Sequence, residues 1–171
     1  MSRPAVVAAA SAVALLALAC AGVAAPPPDR AARAKPVAFK TIVQQAIPGQ
    51  AGQEIRAVVR DADTWRALWA ALRKDGGEAL PAEPPAVDFP REMALVVAMP
   101  TQSCVSKVTI QSIGHLGNQA RGTLLVNLLE APPAPNCRCI VASRPVHAVR
   151  LPRIGGTPRF VVTRGQTSCG P

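Results

Sequence analysis

A chain of 171 residues with nineteen Lys and Arg against ten Asp and Glu carries a net charge of +9, a field that draws polyanions or an acidic partner. It has no tyrosine, two tryptophans and three phenylalanines, so it lacks the aromatic faces on which nucleic-acid bases stack, and a nucleic-acid partner is not expected. The length is enough for one domain with its own core, and no internal repeat divides it.

Residues 1–19 read as an export signal. Arg3 supplies a positive charge, an Ala/Val/Leu run follows, and the chain reaches Ala17-Leu18-Ala19-Cys20. These residues resemble a bacterial lipobox, in which the cysteine is lipidated and becomes the first mature residue, although Ala17 stands where such boxes usually carry Leu. Ala17-Leu18-Ala19 and Gly22-Val23-Ala24 also satisfy the small-x-small rule of an ordinary signal peptidase. The expectation is a mature chain that begins at Cys20 and is held to the bacterial cell envelope by lipid. The alternative is a soluble periplasmic or secreted protein. Residues 20–36 are Ala/Pro-rich and contain Pro26-Pro27-Pro28, an extended tether that lifts a domain at 37–171 off the membrane.

Residues 39–47 alternate apolar and polar and read as a strand closed by Pro48-Gly49. Residues 54–60 form a second short strand. The period then changes: Trp65, Leu68, Trp69 and Leu72 fall on one face of a helix, with Asp63 as its N-cap and Gly76-Gly77 as its stop. At this spacing the tryptophans are expected in the core and not on a ligand platform. A proline-rich loop covers 78–90. Residues 93–99 (Met-Ala-Leu-Val-Val-Ala-Met) are an unbroken apolar run, hence a central strand buried on both faces. Residues 105–113 and 122–129 make a hairpin across Gly117-Asn118. After the break at Pro132-Pro133-Ala134-Pro135 come short strands at 139–142 and 146–151, and a last one at 159–163. The fold class is α+β: a single, mostly antiparallel sheet, bent or partly closed, with one amphipathic helix on its face.

Five cysteines are present, and the loss of Cys20 to lipid or cleavage leaves Cys104, Cys137, Cys139 and Cys169. An even set in an exported chain reads as two disulfides. Cys137-Arg138-Cys139 as a metal pair is the rival, but it lacks a second spaced pair, so neither metal nor cofactor is expected. Cys137 and Cys139 stand near the limit of bridging distance in an extended strand, so each should pair elsewhere, one with Cys104 and one with Cys169. Cys104–Cys137 with Cys139–Cys169 is preferred, because Cys137 follows the Pro-rich break, and the other pattern stays open.

Removal of the signal takes Arg3 and leaves eighteen basic against ten acidic residues. After Glu130 there is no acidic residue, but there are six arginines: Arg138, Arg144, Arg150, Arg153, Arg159 and Arg164. Arg150 and Arg153 are the candidate partner-facing charges. Reaction chemistry is poorly served. Cys104, Cys139 and Ser103 are the available nucleophiles and His115 and His147 the bases, but no third group orients either histidine, and paired cysteines are unreactive. His147 is expected in a structural role and His115 exposed in a turn. The chain is expected not to be an enzyme.

The order of parts resembles the PrcB C-terminal-like domain family, named after a non-catalytic subunit of a bacterial surface protease complex. The resemblance rests on Trp65-Arg66-Ala67-Leu68-Trp69, on Pro85-Ala86-Val87-Asp88-Phe89, and on Pro145-Val146-His147-Ala148-Val149-Arg150-Leu151-Pro152, and it covers roughly 58–162. It implies an exported, non-enzymatic binding or assembly module, monomeric when isolated, that docks on another envelope or secreted protein, with a protease among the candidates. The family usually carries a Thr-Gly-Gly-Tyr-like turn after the central strand. Here Thr101-Gln102-Ser103-Cys104-Val105-Ser106 takes its place, which makes Thr101, Gln102 and Ser103 the altered contact loop. A protease-inhibitor-like or structural envelope protein is the alternative, and it would need that loop as its presented surface.

Overall fold

A computed structural model describes residues 34–48, 52–104, 106–118, 120–138 and 142–168. The elements in chain order are β1 (Lys35–Pro36), β2 (Lys40–Pro48), β3 (Ile55–Val59), α1 (Ala62–Gly76), β4 (Glu92–Ala98), β5 (Gln102–Ser103), β6 (Lys107–Asn118), β7 (Arg121–Ala131), β8 (Ala142–Pro152) and β9 (Thr157–Arg164), with a 3-10 turn at Gly77–Ala79. They form an α+β fold with two sheets, not one. The first has the order β1-β6-β7-β9; the second has the order β2-β8-β4-β3, with β5 added against β8. All pairings are antiparallel except β7 with β9, whose strands are separated in sequence by β8 of the other sheet.

The apolar run of β4 explains why a second sheet is needed. Side chains alternate across a strand, so Ala94, Val96 and Ala98 face one way and Met93, Leu95 and Val97 the other. The first set packs against α1, in a core with Trp65, Trp69, Leu72, Val146 and Ala148. The second set packs against β6 and β7, in a core with Val108, Ile110, Ile113, Leu124, Val126, Leu128, Val149 and Leu151. One helix covers only one face, and the hairpin β6–β7 turns its own apolar side onto the other. The molecule is therefore three layers: helix, sheet, sheet. The small Ala94, Ala98 and Ala148 on the helix side leave room for the two indoles.

The helix starts two residues earlier than expected. Asp61, not Asp63, is the N-cap: its carboxylate accepts from Thr64 N–H at 2.8 Å and from Thr64 Oγ1 at 2.9 Å. These bonds hold the Asp61 carboxyl below its usual range, with Arg153 adding to the effect. Asp63 instead pairs along the surface with Arg66 at 2.6 Å. Asp61→Ala should therefore lower Tm by a few degrees, Asp61→Asn should keep it, and Asp63→Ala should leave it nearly unchanged, as read by thermal unfolding. Equal losses from the two alanine variants would return the cap to Asp63.

The two sheets are tied at both sides. On one side Gln44 of β2 donates through Nε2 to Thr109 Oγ1 at 2.9 Å, next to the irregular register of β6 between Ile110 and Ser112. On the other, Arg56 of β3 reaches Glu130 of β7 at 2.8 Å and lies over the Phe160 ring of β9, 5.9 Å from its centre. The expected short strands at 139–142 and 146–151 are replaced by the single strand β8, though residues 139–141 lie outside the described residues.

Candidate binding surface

The loop singled out in sequence follows β4. Met99 N–H donates to Pro145 O at 3.0 Å, and Thr101 N–H donates to Gly52 O at 3.1 Å. Gln102 and Ser103 then form β5, opposite Ser143 and Ala142 of β8. Cys104 is buried, adopts a positive φ of 81° and is disulfide-bonded. Ser143 Oγ donates to its carbonyl at 3.2 Å. The Thr101 and Gln102 side chains are half-buried. Instead of a projecting loop, the segment is a short strand pinned along β8.

Beneath it lies Arg144, which is 2% exposed. Its Nε donates to Met99 O at 3.3 Å and its Nη2 to Gln53 O. The side-chain stem runs so close to Gly52 that a Cβ there would sit 2.6 Å from Arg144 Cδ. A buried guanidinium is tolerable only with its donors paired, and here backbone carbonyls accept them. Arg144 thus fixes the start of β5 and the segment before β3. Sequence gave no sign of this, since Arg144 reads as one more member of the basic third.

Arg150 and Arg153 lie at the other end of β8. Arg150 pairs across β4 with Glu92 at 3.8 Å. Arg153 donates through Nη1 to Arg60 O at 2.9 Å and to Phe89 O at 2.6 Å, and its own N–H donates to Arg91 O at 2.7 Å. At 3.3 Å per residue the Gln102–Ser143 pair and Arg150 stand roughly 25 Å apart. The structure does not bring the two candidate groups together. Both arginines do structural work, Arg153 as a clamp between three loops and Arg150 as a cross-strand ion pair.

His147 is buried in β8 and points between the sheets, like Val149 and Leu151. Its Nδ1 accepts from Ile110 N–H at 2.8 Å, which places the ring proton on Nε2, 3.1 Å from Thr41 Oγ1. The ring therefore caps the irregularity of β6 and touches that of β2, between Thr41 and Val43. Burial, with Lys107 adding to it, pushes its pKa down to about 4. His115 is not exposed in a turn. It pairs with Lys35 and Leu124 inside β6 and is 6% exposed, with no partner for Nε2. Gly114 lets the strand continue there, because Ala34 packs where its Cβ would be, at 2.8 Å.

Cys137 is disulfide-bonded like Cys104, whereas Cys139 and Cys169 lie outside the described residues. Ser103 stands opposite Ala142, which follows Cys139 by three residues in sequence, and Pro133 bridges Thr167, the first four residues before Cys137 and the second two before Cys169 in sequence. Non-reducing peptide mapping should recover Cys104 linked to Cys139 and Cys137 linked to Cys169. A Cys104–Cys137 peptide would reinstate the pairing preferred from sequence.

Shallow depressions lie among the described residues. One, of about 480 Å³, lies beside α1 among Arg66, Trp69, Arg73, Lys74 and Glu78. Another, of about 360 Å³, lies between β2 and β6 among Gln44, Gln45, Ser106, Lys107 and Thr167. Among the described residues no cluster of His, Cys, Asp and Glu suited to a metal ion is found. No family model matches the chain, and no curated protein and no solved structure is significantly similar to it.

Proposed function

We propose that the chain is an exported, lipid-anchored, non-enzymatic module that binds and helps assemble another protein of the bacterial envelope, a protease among the candidate partners, as its resemblance to PrcB C-terminal-like domains implies. One observation carries this reading: His147 and the described cysteines, the groups a Cys/His reaction would use, are already tied into the fold. His147 has both ring nitrogens engaged and stays neutral above about pH 4, and Cys104 and Cys137 are in disulfides. The disulfides also suit an oxidising compartment. An inhibitor-like reading has less support, because Gln102 and Ser103 are paired with β8 and the Thr101 and Gln102 side chains are half-buried.

The signal and Cys20 lie outside the described residues, so the test begins there. Mass spectrometry of the mature protein should find Cys20 as the first residue, carrying lipid, and Cys20→Ser should release the protein from the membrane fraction. Cross-linking in the native envelope should then join the anchored chain to a distinct protein. An unmodified N-terminus at Ala25 rejects the anchor, and a native envelope without any cross-linked partner rejects the binding module.

A further inference from the structure

We propose that β9 is an open docking edge, and that its occupant is an extended acidic segment of the partner that adds as a further strand. The proposal rests on the binding-module reading and names the surface and the chemistry that reading leaves open.

Four observations define the edge. First, β9 ends its sheet: β7 lies on one side and no described strand on the other. Second, the direction of its backbone groups is fixed. Gly165 N–H donates to Glu130 O at 2.8 Å, across the parallel β7–β9 ladder. Backbone groups of successive residues point to opposite sides of a strand, so Arg159, Val161 and Thr163 bond toward β7. Phe160 and Val162 therefore direct N–H and C=O outward. Pro158, which has no N–H to lose, shares their side, and this is where a proline is tolerated in a strand.

Third, the side chains leave the edge accessible. Phe160 and Val162 pack inward on the core between the sheets. By alternation Arg159, Val161 and Thr163 stand on the outer face, and Arg159 and Thr163 are exposed. A partner strand would meet backbone groups along the edge, with Arg159 on the outer face near one end and the exposed Arg164, which has the parity of Phe160 and Val162, at the other end. Fourth, the local charge is of one sign. No acidic residue follows Glu130. Glu130, which lies opposite Arg164, is taken by Arg56, and Arg56 also takes Glu54. Arg60 stands at the head of the strand, with Nη2 on Gly156 O at 3.1 Å.

This charge selects among occupants. A second copy pairing through β9 would gather Arg159 and Arg164 of both copies along one seam with no acidic residue of β9 to offset them, and like charges brought together across strands are destabilising. The described N-terminal strand, β1, lies at the opposite edge of the same sheet. An extended segment with alternating acidic residues satisfies the outward backbone groups and Arg159 on the outer face, and the carboxylate of its last acidic residue lies within reach of the exposed Arg164 side chain at the strand end. This is strand addition, in which the main chain supplies affinity and the side chains supply specificity.

The test uses the folded mature domain and three short capped peptides: one alternating glutamate with valine, its lysine counterpart, and the glutamate peptide N-methylated on its pairing edge. The glutamate peptide should slow amide exchange at Phe160 and Val162 by roughly tenfold or more. The other two peptides should not. Arg159→Glu with Arg164→Glu should weaken the glutamate peptide by about tenfold and reverse the preference toward lysine. Equal binding of the lysine peptide removes the charge argument, and equal binding of the N-methylated peptide removes strand addition; either overturns the proposal. So does failure of the glutamate peptide to bind, which would make the arginines and Pro158 guards of a closed edge. Exchange already slow in a free protein that sediments as a dimer would give the edge to a second copy. Cross-linking to an envelope partner that is indifferent to the Arg159 and Arg164 reversals would overturn the edge and leave the binding module standing.

Discussion

Trp69→Ala should reduce the free energy of unfolding by about 3–5 kcal/mol, the cost of removing a large side chain from a closed core. Trp69 is 1% exposed and sits between α1 and β4 with Trp65, their ring centres 5.3 Å apart and tilted by 53°. Each indole also ties the helix to the loop after it: Trp69 Nε1 donates to Pro81 O at 3.0 Å and Trp65 Nε1 to Pro85 O at 2.9 Å. The alanine variant loses ring contacts and leaves the Pro81 carbonyl without its donor. Trp69→Phe keeps most of the ring volume and should fall between the two. Chemical denaturation of the three proteins is the measurement. An unchanged midpoint for Trp69→Ala would mean that the helix face is not buried.

The second large effect is a loss of stability in acid that is tied to His147. The folded ring resists protonation until about pH 4, whereas an unfolded histidine takes its proton near 6.5. Between these values the unfolded chain binds more protons, so acid favours unfolding. The contribution is full above pH 6.5 and is lost as pH falls toward 4, in total on the order of 3 kcal/mol. The cause is structural: an imidazolium cannot accept from Ile110 N–H through Nδ1, so protonation strips the irregular strand of its cap. His147→Leu should be less stable at neutral pH by about 1–3 kcal/mol, because it orphans a buried N–H. It should also lose the slope between pH 6.5 and 4. Asp61 contributes in the same direction only at lower pH, since its carboxyl is held below the usual range. Persistence of the slope in His147→Leu would assign it to another group.

The elements were largely legible because their signals are local. The i, i+3, i+4, i+7 stripe from Trp65 to Leu72 is a property of one helix. The two-sided burial of β4 follows from an apolar run that leaves no polar face. What covers the second face is not local. It requires the hairpin β6–β7 to fold over β4 and β8, and nothing in those residues states which partner they meet. The break expected between residues 142 and 146 does not occur. A proline argues against a central strand, yet β8 runs through it because its carbonyl still accepts from Met99 N–H where β4 gives way to β5. The candidate surface was the least legible part. Arg144, Arg150, Arg153 and Arg159 are alike in composition. Only the fold separates a buried clamp on carbonyls, an ion pair, a loop tie and a charge on an open edge. His115 was misread because flanking glycines usually mark turns, whereas here one of them admits Ala34 against a strand.

The order β2-β8-β4-β3 puts a late strand between early ones. Lys40 lies opposite Arg150, and Met93 opposite Leu151. The inner sheet therefore cannot close until the last quarter of the chain has been made and has found its slot. Such a high contact order makes folding slow, because long loops must be closed before any pairing rewards them. During that wait the Met93–Met99 run stands bare on both faces, and a bare apolar strand is prone to join its like in other molecules.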